Sequence, residues 1–347
     1  MSSFLGGSSD FFGLDIGSTA IRLVELHGKA GQAKTLVKYA YLPIEGKIAL
    51  SDSKADQQKL AEAVAQLVSQ AKVGSKNVTV GIPSSRVFTT VADIDRLPES
   101  EIAKAIPYQA DALIPTPLAE SKLDWALLGD SPADKTKQEI LLTSVPNKFV
   151  EQRLDILESI GLNVVAFEPD NLAMARALAA PGPTPQLLLD VGRGSTDLVV
   201  IQNGMPHLTR SIPTGVEAIV KAATQNLNID QKQAEQFVFK FGLSKDKLEG
   251  QVFGAINSTI DLLIGEIEKS IKFFQTRYAG MKIESIIVTG GASVIPEFPL
   301  YLANKFGVNV EIGNAWRNVS FSQARQTELL EVSNQFGVAV GLAERDV

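Results

Sequence analysis

Apolar and polar positions along this chain recur in two rhythms, one of two residues and one of between three and four. Residues 11–17 and 20–26 are apolar runs parted by Ser18 and Thr19, which predicts two strands joined by a tight turn. Residues 34–43 alternate well enough to predict a third strand. Over 53–72 the spacing lengthens, and Leu60, Val64, Leu67, Val68 and Ala71 fall on one helical face. Ser53 can cap that helix, with Asp56 at the capping-box position. Residues 77–82 read as a strand again, closed by Pro83-Ser84-Ser85-Arg86. Strands alternating with helices imply an α/β architecture.

The alternation is interrupted over about 86–160, which reads as an α/β subdomain inserted in a first domain of 11–180. Residues 87–94 are strand-like, and Pro98 opens a helix through Glu101, Ile102 and Ile106. Pro107 lacks an N–H and clashes one turn back, so it is expected to kink or end that helix, with 110–117 leaving it. Strands at 121–128 and 138–145 flank a polar loop, and 147–160 is helical. A strand at 163–167 then returns to the first domain, followed by a helix at 170–180.

Pro181-Gly-Pro-Thr-Pro-Gln186 marks the boundary to a second domain, 187–347. There the pattern predicts a strand into Asp190, a strand after a Gly-rich turn, and helices at 218–227 and 231–241, the latter capped by Asp230. Residues 244–250 read as a surface loop. A long helix at 255–278 places Ile260, Leu263, Ile264, Ile267, Ile271 and Phe274 in one core stripe. Strands at 283–289 and 308–312 flank a helix at 298–305. A Gly- and Ala-rich helix at 335–344 closes the chain and is expected to pack back at the domain interface. Residues 1–10 read as a flexible tail, in which Phe4 and Leu5 could dock.

Two of the turns share residues. One is Asp190-Val191-Gly192-Arg193-Gly194-Ser195-Thr196-Asp197, the other Asp15-Ile16-Gly17-Ser18-Thr19. Asp15 aligns with Asp190 and Gly17 with Gly192, which suggests an internal duplication. Glycines let backbone N–H groups approach a ligand closely, and such turns can cradle a phosphate. Asp15, Asp190 and Asp197 would set carboxylates near it, where Mg²⁺ takes oxygen ligands or waters. Alone, each turn is equally a hairpin with a solvated Asp. A third element, Ile286-Ile287-Val288-Thr289-Gly290-Gly291-Ala292-Ser293, lets a flat ligand such as a base and ribose come close, or is an ordinary strand-to-helix turn.

Composition narrows the function classes. The 347 residues suffice for two or three domains, and 45% hydrophobic with 21% charged residues is globular. A net charge of −6 without a basic block argues against nucleic acid as partner. The absence of cysteine excludes disulfides, thiolate zinc sites and a Cys nucleophile. With only His27 and His207, a histidine metal cluster is not expected. No run approaches the ~18 apolar residues of a membrane span, and the N-terminus has no secretory signal. The expected location is cytoplasmic.

Asp-x-Gly-Ser-Thr, then Asp-x-Gly-x-Gly-Ser-Thr-Asp, then Thr-Gly-Gly-Ala-Ser resembles the actin-like ATPase superfamily, where they are the phosphate 1, phosphate 2 and adenosine motifs. The resemblance implies a two-domain actin-like ATPase fold, duplicated RNase H-like domains with an FtsA-type insert in the first. Residues 166–177 and 335–344 resemble its connecting helices, and no FtsA-type amphipathic membrane helix is expected after them. Phe12-Gly-Leu-Asp-Ile-Gly, Leu113-Ile-Pro-Thr-Pro, Phe167-Glu-Pro and Leu189-Asp-Val-Gly are similar to the PilM family of type IV pilus assembly. Pro107-Tyr108-Gln109 departs from the aromatic-acidic pair many members carry there.

What the resemblance implies is an ATP- and Mg²⁺-binding scaffold that holds the N-terminal cytoplasmic tail of PilN in a cleft beside the insert. It would be recruited to the inner face of the cytoplasmic membrane through partners, without inserting. Pilus motor ATPases, inner-membrane pilus proteins and further copies of the chain are other partners to consider. Gly17, Ser18 and Thr19, with Gly192, Gly194, Ser195 and Thr196, would hold the terminal phosphates. Asp15 and Asp190 would bind Mg²⁺ through waters. Gly290, Gly291 and Ala292 would face the adenosine. The helix after Gly215 would approach ribose and base with Glu217 and Lys221, which are equally spaced for a surface ion pair. Glu168 or Asp197 would position an attacking water, in at most slow hydrolysis. Two other readings stay open: a small-molecule kinase of the same superfamily, and a filament-forming FtsA-like protein.

Overall fold

β1 (Phe11–Ile16), β2 (Ala20–His27) and β3 (Thr35–Pro43) form an antiparallel meander whose inward side chains are buried. These and all other coordinates come from a computed structural model, which describes residues 10–345 apart from Ala30 and Lys47. The expected tail, with Phe4 and Leu5, therefore lies outside the described residues except for Asp10. α1 (Lys54–Ala71) is capped as its sequence predicts: Asp56 donates its N–H to the Ser53 hydroxyl at 3.2 Å. Its buried stripe of Leu60, Val64 and Leu67 joins a core with Phe12, Leu14 and Leu23. β4 (Asn77–Ile82) lies parallel to β1.

β5 (Phe88–Asp95), α2 (Glu99–Leu113), β6 (Ser121–Asp130) and β7 (Lys137–Pro146) follow. The strands make an antiparallel sheet in the order β5-β7-β6. The helix does not end at Pro107, and α2 runs through it to Leu113. Ile102, Ile106 and Ala110 are buried on one face with Ile140 and Leu142, while Pro107 and Tyr108 face solvent. The donor that Pro107 lacks is thus lost on the wet side, and apolar packing outweighs it.

α3 (Asn147–Ser159) leads to β8 (Asn163–Pro169), parallel to β4, and α4 (Asp170–Leu178). Residues 166–169, expected in a connecting helix, are strand, and the helix starts after Pro169.

β9 (Gln186–Val191), β10 (Thr196–Gln202) and β11 (Met205–Ile212) form a second meander. After α5 (Val216–Leu227), α6 (Gln231–Phe241) and α7 (Gln251–Arg277) come β12 (Ser285–Thr289), α8 (Phe298–Phe306) and β13 (Asn309–Ile312). β11 was not among the expected strands, because Pro206 and the polar run around it mask the alternation. It is the outer strand of its sheet, and the register shifts at Val200/Ile201, opposite Pro206. A missing N–H is tolerated in such a place. α9 (Gln326–Val332) and α10 (Gly337–Glu344) end the chain. α10 lies so close to α4 that a Cβ on Gly341 would stand 1.8 Å from the Ala173 carbonyl oxygen.

The two large sheets run β3-β2-β1-β4-β8 and β11-β10-β9-β12-β13. Each is a three-stranded meander continued by two parallel strands, which is the duplication suggested by the two turns. Contacts divide the chain into two units, one holding the residues up to Arg86 with Asn147–Leu178 and those from Asn314, the other Val87–Pro146 with Ala179–Gly313. The insert expected over 86–160 is thereby split: β5, α2, β6 and β7 group with the second unit, α3 with the first.

A buried polar network joins these strands to the end of α7. Glu139 on β7 accepts from Arg277 Nε at 2.8 Å and from the Tyr278 hydroxyl at 3.1 Å. Arg277 also reaches Asp93 on β5 at 2.9 Å, and His207 Nδ1 lies 3.2 Å from the Tyr278 hydroxyl. Burial, then the Glu139 charge, pushes the Tyr278 pKa up, and burial holds His207 down. Among the described residues no helix is long and apolar enough to cross a membrane.

Candidate functional site

Three turns of the second unit meet at the carboxyl ends of β9 and β12. The turn between β9 and β10 is closed by the Gly192 N–H on the Ser195 carbonyl at 2.9 Å. The first turn of α5 leans on it: Val216 and Glu217 donate to the carbonyls of Gly192 and Arg193 at 3.0 and 2.9 Å. Gly215, the helix N-cap, approaches so closely that a Cβ would stand 2.5 Å from both carbonyl oxygens. The third turn follows β12. Gly290 has φ of +76°, and a Cβ there would stand 2.2 Å from Asp190 Oδ1. Ser293 closes this turn on the Gly290 carbonyl with its N–H and hydroxyl, and Ala292 is buried beneath.

Within this cluster the residues divide by task. Thr196 is buried, and its hydroxyl donates to the Thr214 carbonyl at 2.7 Å, which fixes the turn to the approach of α5. Gly194 differs from Gly215 and Gly290, since a Cβ there would meet nothing within 4 Å. Packing does not require that glycine, whereas close approach of a ligand would. Asp190 and Asp197 stand directly opposite each other across β9 and β10. Like charges so placed disfavour the pair. Among the described residues no group of three or more His, Asp or Glu is placed to hold a metal. Glu217 lies 4.0 Å from Arg193 Nε, and Arg193 Nη1 lies 3.6 Å from Glu235. Lys221 is exposed on the next turn of α5.

The first unit carries the other copy. Gly17 donates its N–H to the Ala20 carbonyl at 3.1 Å, with Ser18 half-buried and Thr19 exposed at the tip. Asp15 is buried, and across the strands it faces Arg22, whose Nη1 is 3.4 Å from Asp15 Oδ2. Burial raises the Asp15 pKa, against the opposing pull of the Arg22 charge. The two copies have therefore diverged in charge, Asp facing Arg in one and Asp facing Asp in the other. Arg22 was not singled out from the sequence. A short turn after Asp15 sets its cross-strand partner, so a register argument could have found it.

Glu168 is buried at the end of β8, and arginines engage both of its oxygens. Arg176 Nη1 donates to Oε2 at 3.0 Å and its Nη2 reaches Oε1, while Arg345 Nη1 lies 3.5 Å from Oε2. Arg176 also donates to the Gly341 carbonyl at 2.6 Å, so this carboxylate ties β8 and α4 to α10. Arg176 and Arg345 carried no motif in the sequence.

Comparison with known proteins places this geometry. A family model described as type IV pilus assembly protein PilM matches residues 13–347. The chain is similar to a solved structure of a PilM-PilN type IV pilus biogenesis complex, with TM-score 0.82 and 25% identity, covering 97% of this chain and 98% of that one. It is also similar to the ethanolamine utilization protein EutJ from Carboxydothermus hydrogenoformans, with TM-score 0.58 and 15% identity over 96% and 88% of the two chains. MreB5 of Spiroplasma citri bound to ADP matches with TM-score 0.51 and 15% identity over 96% and 95%. The last two likenesses concern the fold, which is the two-domain actin-like one.

Proposed function

The chain belongs to the type IV pilus assembly protein PilM family, and from that premise we propose that it is an ATP-binding scaffold of the pilus assembly complex that holds the N-terminal cytoplasmic tail of PilN. The observation that carries the partner is the match to the PilM-PilN complex over 97% of this chain and 98% of that one. Recruitment to the inner face of the cytoplasmic membrane would follow from holding that tail.

In this reading the N–H groups of Gly194 and Ser195 bind phosphate oxygens, as do Ser18 and Thr19, while Gly192 and Gly17 use their N–H groups to close the two turns. Gly290, Gly291 and Ala292 face the adenosine, and Glu217 and Lys221 flank the ribose. Mg²⁺ bound with the nucleotide would offset phosphate charge and be held by Asp190 through water. The opposed carboxylates of Asp190 and Asp197 support that placement in the second unit. Asp15 keeps a metal role only if Arg22 gives way. With both Glu168 oxygens on arginines, Asp197 is left as the carboxylate to orient a water, which supports slow turnover and a nucleotide that stabilises rather than drives.

Titration calorimetry of the full chain with a synthetic PilN tail peptide, with and without ATP and Mg²⁺, tests this. The expected dissociation constant is on the order of micromolar or tighter, and its change with nucleotide gives the coupling free energy. Intact ATP binding with no peptide binding would remove the partner. The kinase and filament readings would then be tested by phosphotransfer and nucleotide-dependent pelleting.

A further inference from the structure

Arg193 is the cation of the turn between β9 and β10, and the turn's own geometry does not require it. The hydrogen bonds that close the turn and tie it to α5 use backbone groups and the Thr196 hydroxyl, so they leave the side chain at 193 unassigned. The Arg193 carbonyl accepts from the Glu217 N–H at 2.9 Å, which sets the residue against the first turn of α5. Nε lies 4.0 Å from Glu217 Oε2, and Nη1 lies 3.6 Å from Glu235 Oε1 on α6. Neither distance is that of a hydrogen bond. Glu217 is exposed, and Arg193 and Glu235 are half-buried. Ion pairs so placed hold a side chain weakly.

The surroundings favour a stronger anion. The first turn of α5 is the positive end of a helix dipole, which favours an anion and opposes a cation. Asp190 and Asp197 face each other across the two strands that the turn joins. A polyphosphate on the N–H groups of Gly194 and Ser195 would come up against both carboxylates, and a cation on the turn offsets that repulsion. Glu217 flanks the ribose in the nucleotide reading, so a guanidinium 4.0 Å from it stands beside the nucleotide. A guanidinium donates to phosphate oxygens in pairs, through short charge-assisted bonds that carboxylates at 3.6 and 4.0 Å do not match.

Resting on that nucleotide reading, we infer that Arg193 is a positioning residue for the nucleotide phosphates. Its fork donates to phosphate oxygens, and Glu235, which has no part in the nucleotide reading, competes with them for it. The inference is independent of the peptide partner. It makes Glu235 an opponent of ATP binding, a sign that a structural ion pair does not predict.

Titration calorimetry of the full chain with ATP, ADP and adenosine, each with Mg²⁺, tests this. Arg193→Met is expected to weaken ATP and ADP about tenfold and to leave adenosine affinity unchanged, which also reports an intact fold. Arg193→Lys, which keeps the charge and loses the fork, should restore part of the loss. Glu235→Gln should tighten ATP about threefold, and the gain should vanish when it is combined with Arg193→Met. An unchanged ATP affinity in Arg193→Met, an equal loss for adenosine, or an ATP affinity that Glu235→Gln lowers or leaves as it was would overturn the proposal. A parent chain that binds adenosine as tightly as ATP would overturn this inference alone. A parent that binds none of the three would remove the nucleotide reading, and this inference with it.

Discussion

Glycine is needed for two different reasons in the candidate nucleotide site, and substitution separates them. At Gly290 the backbone is left-handed and a Cβ would collide with Asp190 and Val191. Gly290→Ala is therefore expected to cost about 2 kcal/mol or more of stability, read by urea unfolding. At Gly194 a Cβ meets open space. Gly194→Ala should unfold within ~0.5 kcal/mol of the parent yet lose ATP affinity about tenfold; an unchanged nucleotide titration would take the phosphate role from this turn. The sequence shows both glycines alike. Only the neighbours brought by β12 distinguish them, and those neighbours lie about a hundred residues away. Asp15 and Asp190 are a similar case: aligned in sequence, they face opposite charges once the strands pair.

Among the elements, α2 and α10 show packing overriding local preference. α2 carries Pro107 in its interior, with the lost hydrogen bond on the exposed side. Pro107→Ala should stabilise the β5-β7-β6 subdomain by about 1–3 kcal/mol, seen as slower hydrogen exchange in α2; no gain would mean that the proline relieves strain elsewhere. α10 is closed by Lys34, whose Nζ donates to the carbonyls of Glu344 and Arg345 at 2.8 and 3.0 Å. Burial raises the Glu344 pKa to about 7 from its ordinary 4.5, against the charges of Arg176 and Lys34. A carboxyl whose pKa is higher in the folded state favours folding while protonated. Its contribution is full below its unfolded pKa and is lost as pH rises through about 7. Glu344→Gln should match the parent near about pH 4 and exceed its stability by at most about 3 kcal/mol near about pH 8. Denaturant midpoints across that range check it, and parallel pH curves would refute it.

For the molecule as a whole, the Glu139 network links the inserted strands to the second unit. β5, α2, β6 and β7 group with the second unit, although in sequence they interrupt the first. Removing one partner of a buried ion pair leaves the other uncompensated. Glu139→Ala should cost about 3–5 kcal/mol, with the fastest exchange appearing in β5 and β7. Uniform loosening of the entire second unit instead would show that the network supports the core generally and does not specifically attach this subdomain.

The sequence by itself determined the two glycine turns, the helices with clean apolar stripes such as α1 and α7, and the duplication. These depend on local conformation and on periodicity, which neighbouring residues set. It also carried the superfamily, because the three motifs stand in a fixed order, and the family, through segments such as Leu113-Ile-Pro-Thr-Pro and Phe167-Glu-Pro. Tertiary structure decided the rest. It kept Pro107 inside a helix, made an outer strand of Met205–Ile212, set Arg22 against Asp15 and engaged Glu168 with two arginines. Each of these depends on which distant backbone carbonyl or side chain comes within hydrogen-bonding reach, and that follows from strand order and helix packing, not from the spacing of residues along the chain.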